Sequence, residues 1–162
     1  MKKLKYNLQA AEHAGCVVCG LRNKDGLKLN FNLCQDGSVE SRYNCPKTLN
    51  GYKDIVHGGI ISMLLDGAMT NCLFAHGVKA FTAELKTRFL LPVSVKNAIR
   101  LKASIQRAFS RFYQLKAYLI QHEQIKAQAT AIFARLPVAS QSHSGAQETR
   151  DQIFSKKDGV FV

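Results

Sequence analysis

The sequence predicts an α+β domain in which a strongly curved antiparallel sheet wraps around one long central helix. Three observations predict it. Residues 58–75 are apolar on nearly every side. Six shorter segments around them alternate apolar and polar residues. The order is two strands, a helix, then four strands, with no internal repeat and no break in composition. A helix without a polar face must be covered, and a sheet with one apolar face can cover it. A chain of 162 residues hides about 70% of its unfolded surface, enough for such a core.

Residues 1–12 read as a short polar helix or a loose arm. His13-Ala14-Gly15-Cys16-Val17-Val18-Cys19-Gly20 is rich in turn formers. Leu27, Leu29, Phe31 and Leu33 then alternate with Lys28, Asn30, Asn32 and Cys34, the period of a half-buried strand. Gln35-Asp36-Gly37-Ser38 is a turn signal, and Val39, Ser41 and Tyr43 alternate behind it, so the two runs predict a hairpin. Residues 44–56, with Pro46 and Gly51, read as a loop. The helix follows from Gly58 to Ala75 and ends at Gly77. Asp66, Gly67 and Asn71 interrupt it before it reaches bilayer length, which points to a core helix rather than a membrane span.

Four alternating segments come next. Phe81, Ala83, Leu85 and Phe89 alternate with Thr82, Glu84, Lys86 and Arg88. The others run over Ile99–Gln106, Tyr113–Leu119 and Ile125–Phe133. Each predicts an antiparallel strand with one wet face. Ala127, Ala129 and Ala131 leave room for something to pack close to the last strand. From Ala139 the chain is polar and Ser/Gln-rich, reading as a loose tail with a weak helix over Asp151–Lys157. The expected organisation is one domain over residues 1–138, including the arm 1–12, and a tail over 139–162.

The formal charge is +12. Residues 85–135 carry ten Lys or Arg against the single acid Glu123, a net +9. Such a stretch serves either solubility or a polyanion: nucleic acid, an anionic surface, or a phosphorylated small molecule such as coenzyme A. Tyr113 and Tyr118 fall on opposite faces of their strand, so no aromatic platform for nucleic acid is visible. The N-terminus has positive charges but no apolar run behind them, so no secretion signal is read. Five cysteines without framework spacing suggest a reduced, cytoplasmic protein. Cys16 and Cys19 have zinc-knuckle spacing with His13 three residues earlier, but no second close pair follows, so no metal is expected. Neither a thioredoxin-like context nor a nucleotide-cradling glycine motif is present.

Two features carry chemistry. Asp66 is a carboxylate inside an apolar helix, which costs several kcal/mol unless it is paired or wet. It is either structural, bonded to backbone or a buried cation, or functional. His57-Gly58-Gly59 opens the same helix. First-turn N–H groups lack intrahelical acceptors and carry the positive end of the dipole, so they can polarise a carbonyl. The glycines serve either that approach or the turn alone, and His57 is either functional or a local hydrogen-bonder. Asp66 lies eight residues beyond Gly58, about 12 Å along the axis. One reacting carbonyl cannot touch both in one chain. If both act on one substrate, they come from two subunits with their helices antiparallel across a two-fold axis.

The stretch VHGGIISMLLDGAM, followed by TAELKTRFLLPV, resembles hotdog-fold acyl-CoA thioesterases of the phenylacetate-degradation type. The upstream CVVCGLRNKDGLKL is similar to the beginning of one branch of that family. The resemblance runs from about residue 13 to 135 and implies the fold outlined above, a helix in a sheet. It implies hydrolysis of acyl-CoA thioesters, with Asp66 as nucleophile or general base and the Gly58 amide polarising the carbonyl. His57 is the histidine of the motif, and Thr82 falls where relatives position the water or the carboxylate. Arg88 and Arg100 are the expected phosphate contacts to coenzyme A. No cofactor is implied beyond coenzyme A as part of the substrate. A homodimer or a dimer of dimers is expected, with no nucleic acid or membrane partner. The competing reading is a hotdog module that binds acyl-CoA without cleaving it. Gly51 departs from the family pattern, where several relatives have Asn, with Asn50 one residue earlier. Gly67 stands where an acid is frequent, and Leu91 replaces a common Arg.

Overall fold

The computed structural model describes residues 13–135. The expectations for residues 1–12 and for the tail, with its helix over 151–157, lie outside the described residues. One six-stranded antiparallel sheet is built from β1 (Asn32–Leu33), β2 (Val39–Tyr43), β3 (Phe81–Phe89), β4 (Ile99–Phe109), β5 (Phe112–Gln121) and β6 (Gln124–Ala134). The spatial order is β1-β2-β4-β5-β6-β3. Helix α1, Gly58–Ala75, sits between β2 and β3 in the chain and packs most heavily against β4 and β5. By length and composition α1 could cross a membrane. Its residues Leu64, Leu65, Ala68, Met69 and Cys72 are instead fully buried under the sheet.

The inner face follows the register. Ile99, Leu101 and Ala103 of β4, Leu115, Ala117 and Leu119 of β5, and Ala127, Ala129, Ala131 and Phe133 of β6 are all buried. One row across the sheet is small throughout: Ala103 opposite Ala117, Ala117 opposite Ala129, and Ala129 opposite Thr87. These short side chains let the helix lie close to the strands, as the alanines of the sequence suggested. The basic residues alternate with this core on the outer face. There Lys102 pairs with Asp36 at 3.0 Å and Arg100 with Glu123 at 2.7 Å, so part of the +9 field is neutralised locally. The β5–β6 connection is two residues long, and both His122 and Glu123 are left-handed (φ 53° and 56°), the geometry that matches a hairpin's twist but favours Gly or Asn.

Three expectations need correction. The strand expected over residues 27–33 shrinks to Asn32–Leu33. Lys28 adopts a positive φ of 56°, and the N–H groups of Leu27 and Leu29 donate to the carbonyls of Val17 and Val18. The backbone of this run is therefore spent on the 13–20 loop, while Leu29 and Phe31 still enter the core. The alternation reported burial, not sheet pairing.

The second correction concerns β3, expected to have one dry face. It is almost wholly open, with Phe81 52% and Phe89 54% exposed. It is the last strand of the sheet, paired on one side only with β6.

The third is its facing. The register with β6 slips between Thr82 and Glu84. Thr82 then stands opposite Phe133, whose side chain is buried on the inner face, and Phe81 opposite Ala134. A bulge of this kind reverses the facing of every residue before it. Thr82 therefore points inward and Phe81 outward, opposite to the simple alternation.

The 13–20 loop closes the face of α1 turned away from the sheet. A Cβ on Gly67 would lie 2.6 Å from Val18 Cγ1 and 3.1 Å from its Cβ. His13 stacks edge-on against Phe74 with ring centroids 4.7 Å apart. Gly67 and Phe74 lie two helical turns apart on one stripe. The position where relatives often have an acid is thus filled from outside by Val18. Gly67→Ala is expected to cost about 1–3 kcal/mol by overpacking, net of a helix-propensity gain of roughly 1 kcal/mol. In a Val18→Ala background the same change should become neutral or stabilising, which a urea-denaturation double-mutant cycle will check.

Candidate functional site

The start of α1 is set by His57. It is the N-cap residue, in extended conformation, and its Nδ1 accepts the Gly59 N–H at 2.9 Å. That bond fixes the tautomer, leaving the proton on Nε2. The structure thus gives His57 a local hydrogen-bonding role at the helix start. Gly51 packs directly on it, since a Cβ there would stand 3.1 Å from both Cα and Cδ2 of His57. An asparagine side chain at 51 would push the cap away. The Gly58 N–H, next in line, has no backbone or side-chain acceptor among the described residues. The Phe89 ring borders this amide, 3.5 Å from where a Gly58 Cβ would be.

Asp66 lies half-buried in the middle of α1. The Thr82 hydroxyl donates to its Oδ1 at 2.8 Å. The β3 bulge makes this contact possible by turning Thr82 to the helix side. Burial pushes the Asp66 carboxyl above its ordinary value, while the Thr82 hydrogen bond and the charge of His13 pull it part of the way back. The result is a carboxylate of raised basicity, held in one orientation and open on its other oxygen. That is the electronic state a nucleophile or general base needs.

Of the residues expected from sequence, the structure brings Asp66 and Thr82 together and places Gly58 with His57 a full helix half away. Arg88 and Arg100 are elsewhere. Both project from the outer face of the sheet, Arg88 on the open strand β3 and Arg100 on β4. Arg100 is held by Glu123 and, at 3.9 Å, by Glu40. Arg88 is exposed and has no ion-pair partner among the described residues. His13 was singled out in sequence only for its spacing to Cys16. Its influence on Asp66 depends on the loop folding back over α1, which no local pattern announces.

Residues 53–118 match the family model of the thioesterase superfamily. That span holds the cap, the helix with Asp66, Thr82 and the two central strands. Solved structures align over more of the chain. A thioesterase superfamily protein is 22% identical with a TM-score of 0.69, covering 72% of this chain and 61% of its own. This chain therefore spans somewhat under two thirds of that relative's length. A phenylacetic acid degradation-related protein from Ralstonia eutropha is 24% identical, TM-score 0.61, over 67% of this chain and 86% of its own. The fold is the hotdog fold. The resemblance read in the sequence, to hotdog thioesterases of the phenylacetate-degradation type, is borne out by these matches. A hypothetical thioesterase protein from Streptococcus pneumoniae was solved as an aspartate-to-alanine and as a threonine-to-alanine variant. It is 14–15% identical, TM-score 0.61, over 65% of this chain and 88% of its own. A search among curated proteins finds no match.

The Thr82 hydroxyl stabilises the charged form of Asp66, so its removal has a definite sign. Thr82→Val should raise the Asp66 pKa further, moving its titration to higher pH. Carboxyl-carbon NMR titration of Asp66 in both proteins will measure the shift without reference to any activity.

Proposed function

We propose that this protein hydrolyses acyl-CoA thioesters to the free acid and coenzyme A, in active sites shared between two subunits. The observation that carries the reading is the Asp66–Thr82 pair: a desolvated carboxylate on the buried helix, oriented by a hydroxyl that a bulge turns inward. Mere binding of an acyl chain has no use for such a group. The match of residues 53–118 to the thioesterase superfamily supports the same chemistry. So does the Streptococcus pneumoniae thioesterase, whose two substituted positions are sixteen residues apart, the separation of Asp66 and Thr82 here.

In the proposed reaction a first-turn amide, that of Gly58, donates to the thioester oxygen and draws charge onto it as the carbonyl carbon becomes tetrahedral. Asp66 either attacks that carbon or takes the proton of an attacking water, and the thiolate leaves. With about 12 Å of helix between Gly58 and Asp66, the amide comes from the partner subunit. The open edge of β3 supports such an assembly. It offers one free edge of a nine-residue strand, with Phe81, Phe89, Leu90 and Leu91 exposed on or beside it. Proteins rarely leave an edge of that kind uncovered. Arg88, exposed on the same strand, would be the residue to meet a phosphate of coenzyme A. Arg100 would first have to give up Glu123.

Asp66→Asn should lower thiol release from acyl-CoA by about 100-fold or more, while the folded protein keeps or gains stability. The sign follows from the raised pKa. Below the ordinary carboxylate range Asp66 is protonated in both states and costs nothing. Above its folded pKa the buried charge destabilises the fold, and asparagine removes that cost. Thiol-release assays and thermal melts on the same preparations will check both halves. Unchanged turnover in folded Asp66→Asn protein would remove this residue from the mechanism. Sedimentation should give a dimer or a dimer of dimers; a fully active monomer would contradict the shared site.

A further inference from the structure

The loop that covers the far side of α1 contains an arrangement that the proposed hydrolysis does not use. One donor atom from each of His13, Cys16 and Cys19 lies within 4.8 Å of the other two. Cys19 Sγ is 3.9 Å from His13 Nδ1. In sequence His13 stood three residues before the pair but no second close pair followed; the fold brings the imidazole onto the two sulfurs. We propose that His13, Cys16 and Cys19 bind one zinc ion, which holds the 13–20 loop in the shape that packs on the central helix.

The geometry needs little adjustment. Thiolates at about 2.3 Å from one zinc stand roughly 3.8 Å apart, and a thiolate and an imidazole slightly less. The donors therefore have to close by about 1 Å or less to reach a common ion. The loop is built to hold them there. Cys16 N–H donates to the His13 carbonyl at 3.0 Å, Gly20 N–H to the Cys16 carbonyl at 2.9 Å, and Arg22 N–H to the Ala14 carbonyl at 2.9 Å. These bonds wind the chain tightly around the donors before any metal arrives. The winding requires glycine at position 20, because a Cβ there would overlap the backbone of Cys16 and Ala14. Val18 N–H points at Cys16 Sγ, 3.4 Å away.

The donor set selects the metal class. Two thiolates and an imidazole suit zinc, whereas calcium and magnesium demand oxygen ligands. Binding is accompanied by release of the two thiol protons, so it strengthens as pH rises through the thiol range. Three protein donors leave one tetrahedral position, which water can take. Asp66 is not among the donors, and zinc binding by these three residues requires no thioester hydrolysis, although His13 is close enough for its charge to act on Asp66. Its service is mechanical. Val18, between the two cysteines, is the residue that fills the hollow at Gly67, and His13 is the one that stacks on Phe74.

The test uses the full chain, kept reduced with a non-chelating phosphine and freed of metal. Zinc chloride alone is titrated against a competing chromophoric chelator, and cobalt chloride is used as the spectroscopic probe. The expected result is one zinc per chain, with cobalt giving thiolate charge-transfer absorption and the visible bands of a tetrahedral site. Cys16→Ser, at a half-buried position, should weaken zinc binding at least tenfold and abolish the charge-transfer band to that sulfur. His13→Ala should weaken binding while keeping both sulfur bands. Cys34→Ser should bind zinc as the parent does. Zinc should raise the melting temperature of the parent and not that of Cys16→Ser. The proposal is overturned if the reduced parent takes up no zinc at micromolar free metal. It is equally overturned if Cys16→Ser and His13→Ala leave both the affinity and the cobalt spectrum unchanged.

Discussion

A single carboxylate in an apolar helix sets the terms for the rest of this molecule. Asp66 cannot be left dry and alone, and it cannot be moved to the surface, because the helix that bears it is the core. The fold answers with one hydroxyl, from Thr82, and with a half-open position that keeps one oxygen within reach of solvent. The compromise leaves the group more basic than an ordinary aspartate. A fully satisfied carboxylate would be stable and inert. A fully buried one would hold its proton. What is left between these limits is a charge that the fold tolerates and a reaction can use.

The supply of that hydroxyl depends on one irregularity. In a regular β3, Thr82 would share a face with Glu84, Lys86 and Arg88 and would look into solvent. The slip in register ahead of Glu84 turns it over. The sequence could not announce this, because Phe81 and Ala83 continue the apolar alternation as though no bulge were there. The role of Thr82 was legible only through family resemblance; its facing came from pairing with β6. The exposed aromatic residues of the strand have the same origin. An alternation pattern tells which residues avoid water, but not whether the covering surface belongs to the same chain.

Where the pattern was dense, it was sufficient. Helix α1 occupies the residues that its apolar run marked, and β2, β4, β5 and β6 lie within a few residues of their alternating segments. Those elements bury one face against each other, so burial and hydrogen bonding coincide. They part company at residues 27–31. There the side chains behave as a strand's while the amides bond to Val17 and Val18. The loop over 13–20 was the least legible part. Its form rests on glycines and on contacts with Gly67 and Phe74, residues far along the chain in the central helix. The histidine cap at 57 shows the opposite case, where a local residue type and a local role agree once the tautomer is fixed.

The row of small side chains under the helix acts as a ruler. Ala103, Ala117, Ala129 and Thr87 fix how near α1 can come to the sheet, and that height decides whether the carboxylate meets the hydroxyl. Enlarging any one of them would lift the helix like a shim under a beam. The damage would register in the Asp66–Thr82 contact sooner than in folding. Small spacer residues that never touch Asp66 or Thr82 would then belong among the determinants of how the carboxylate is held.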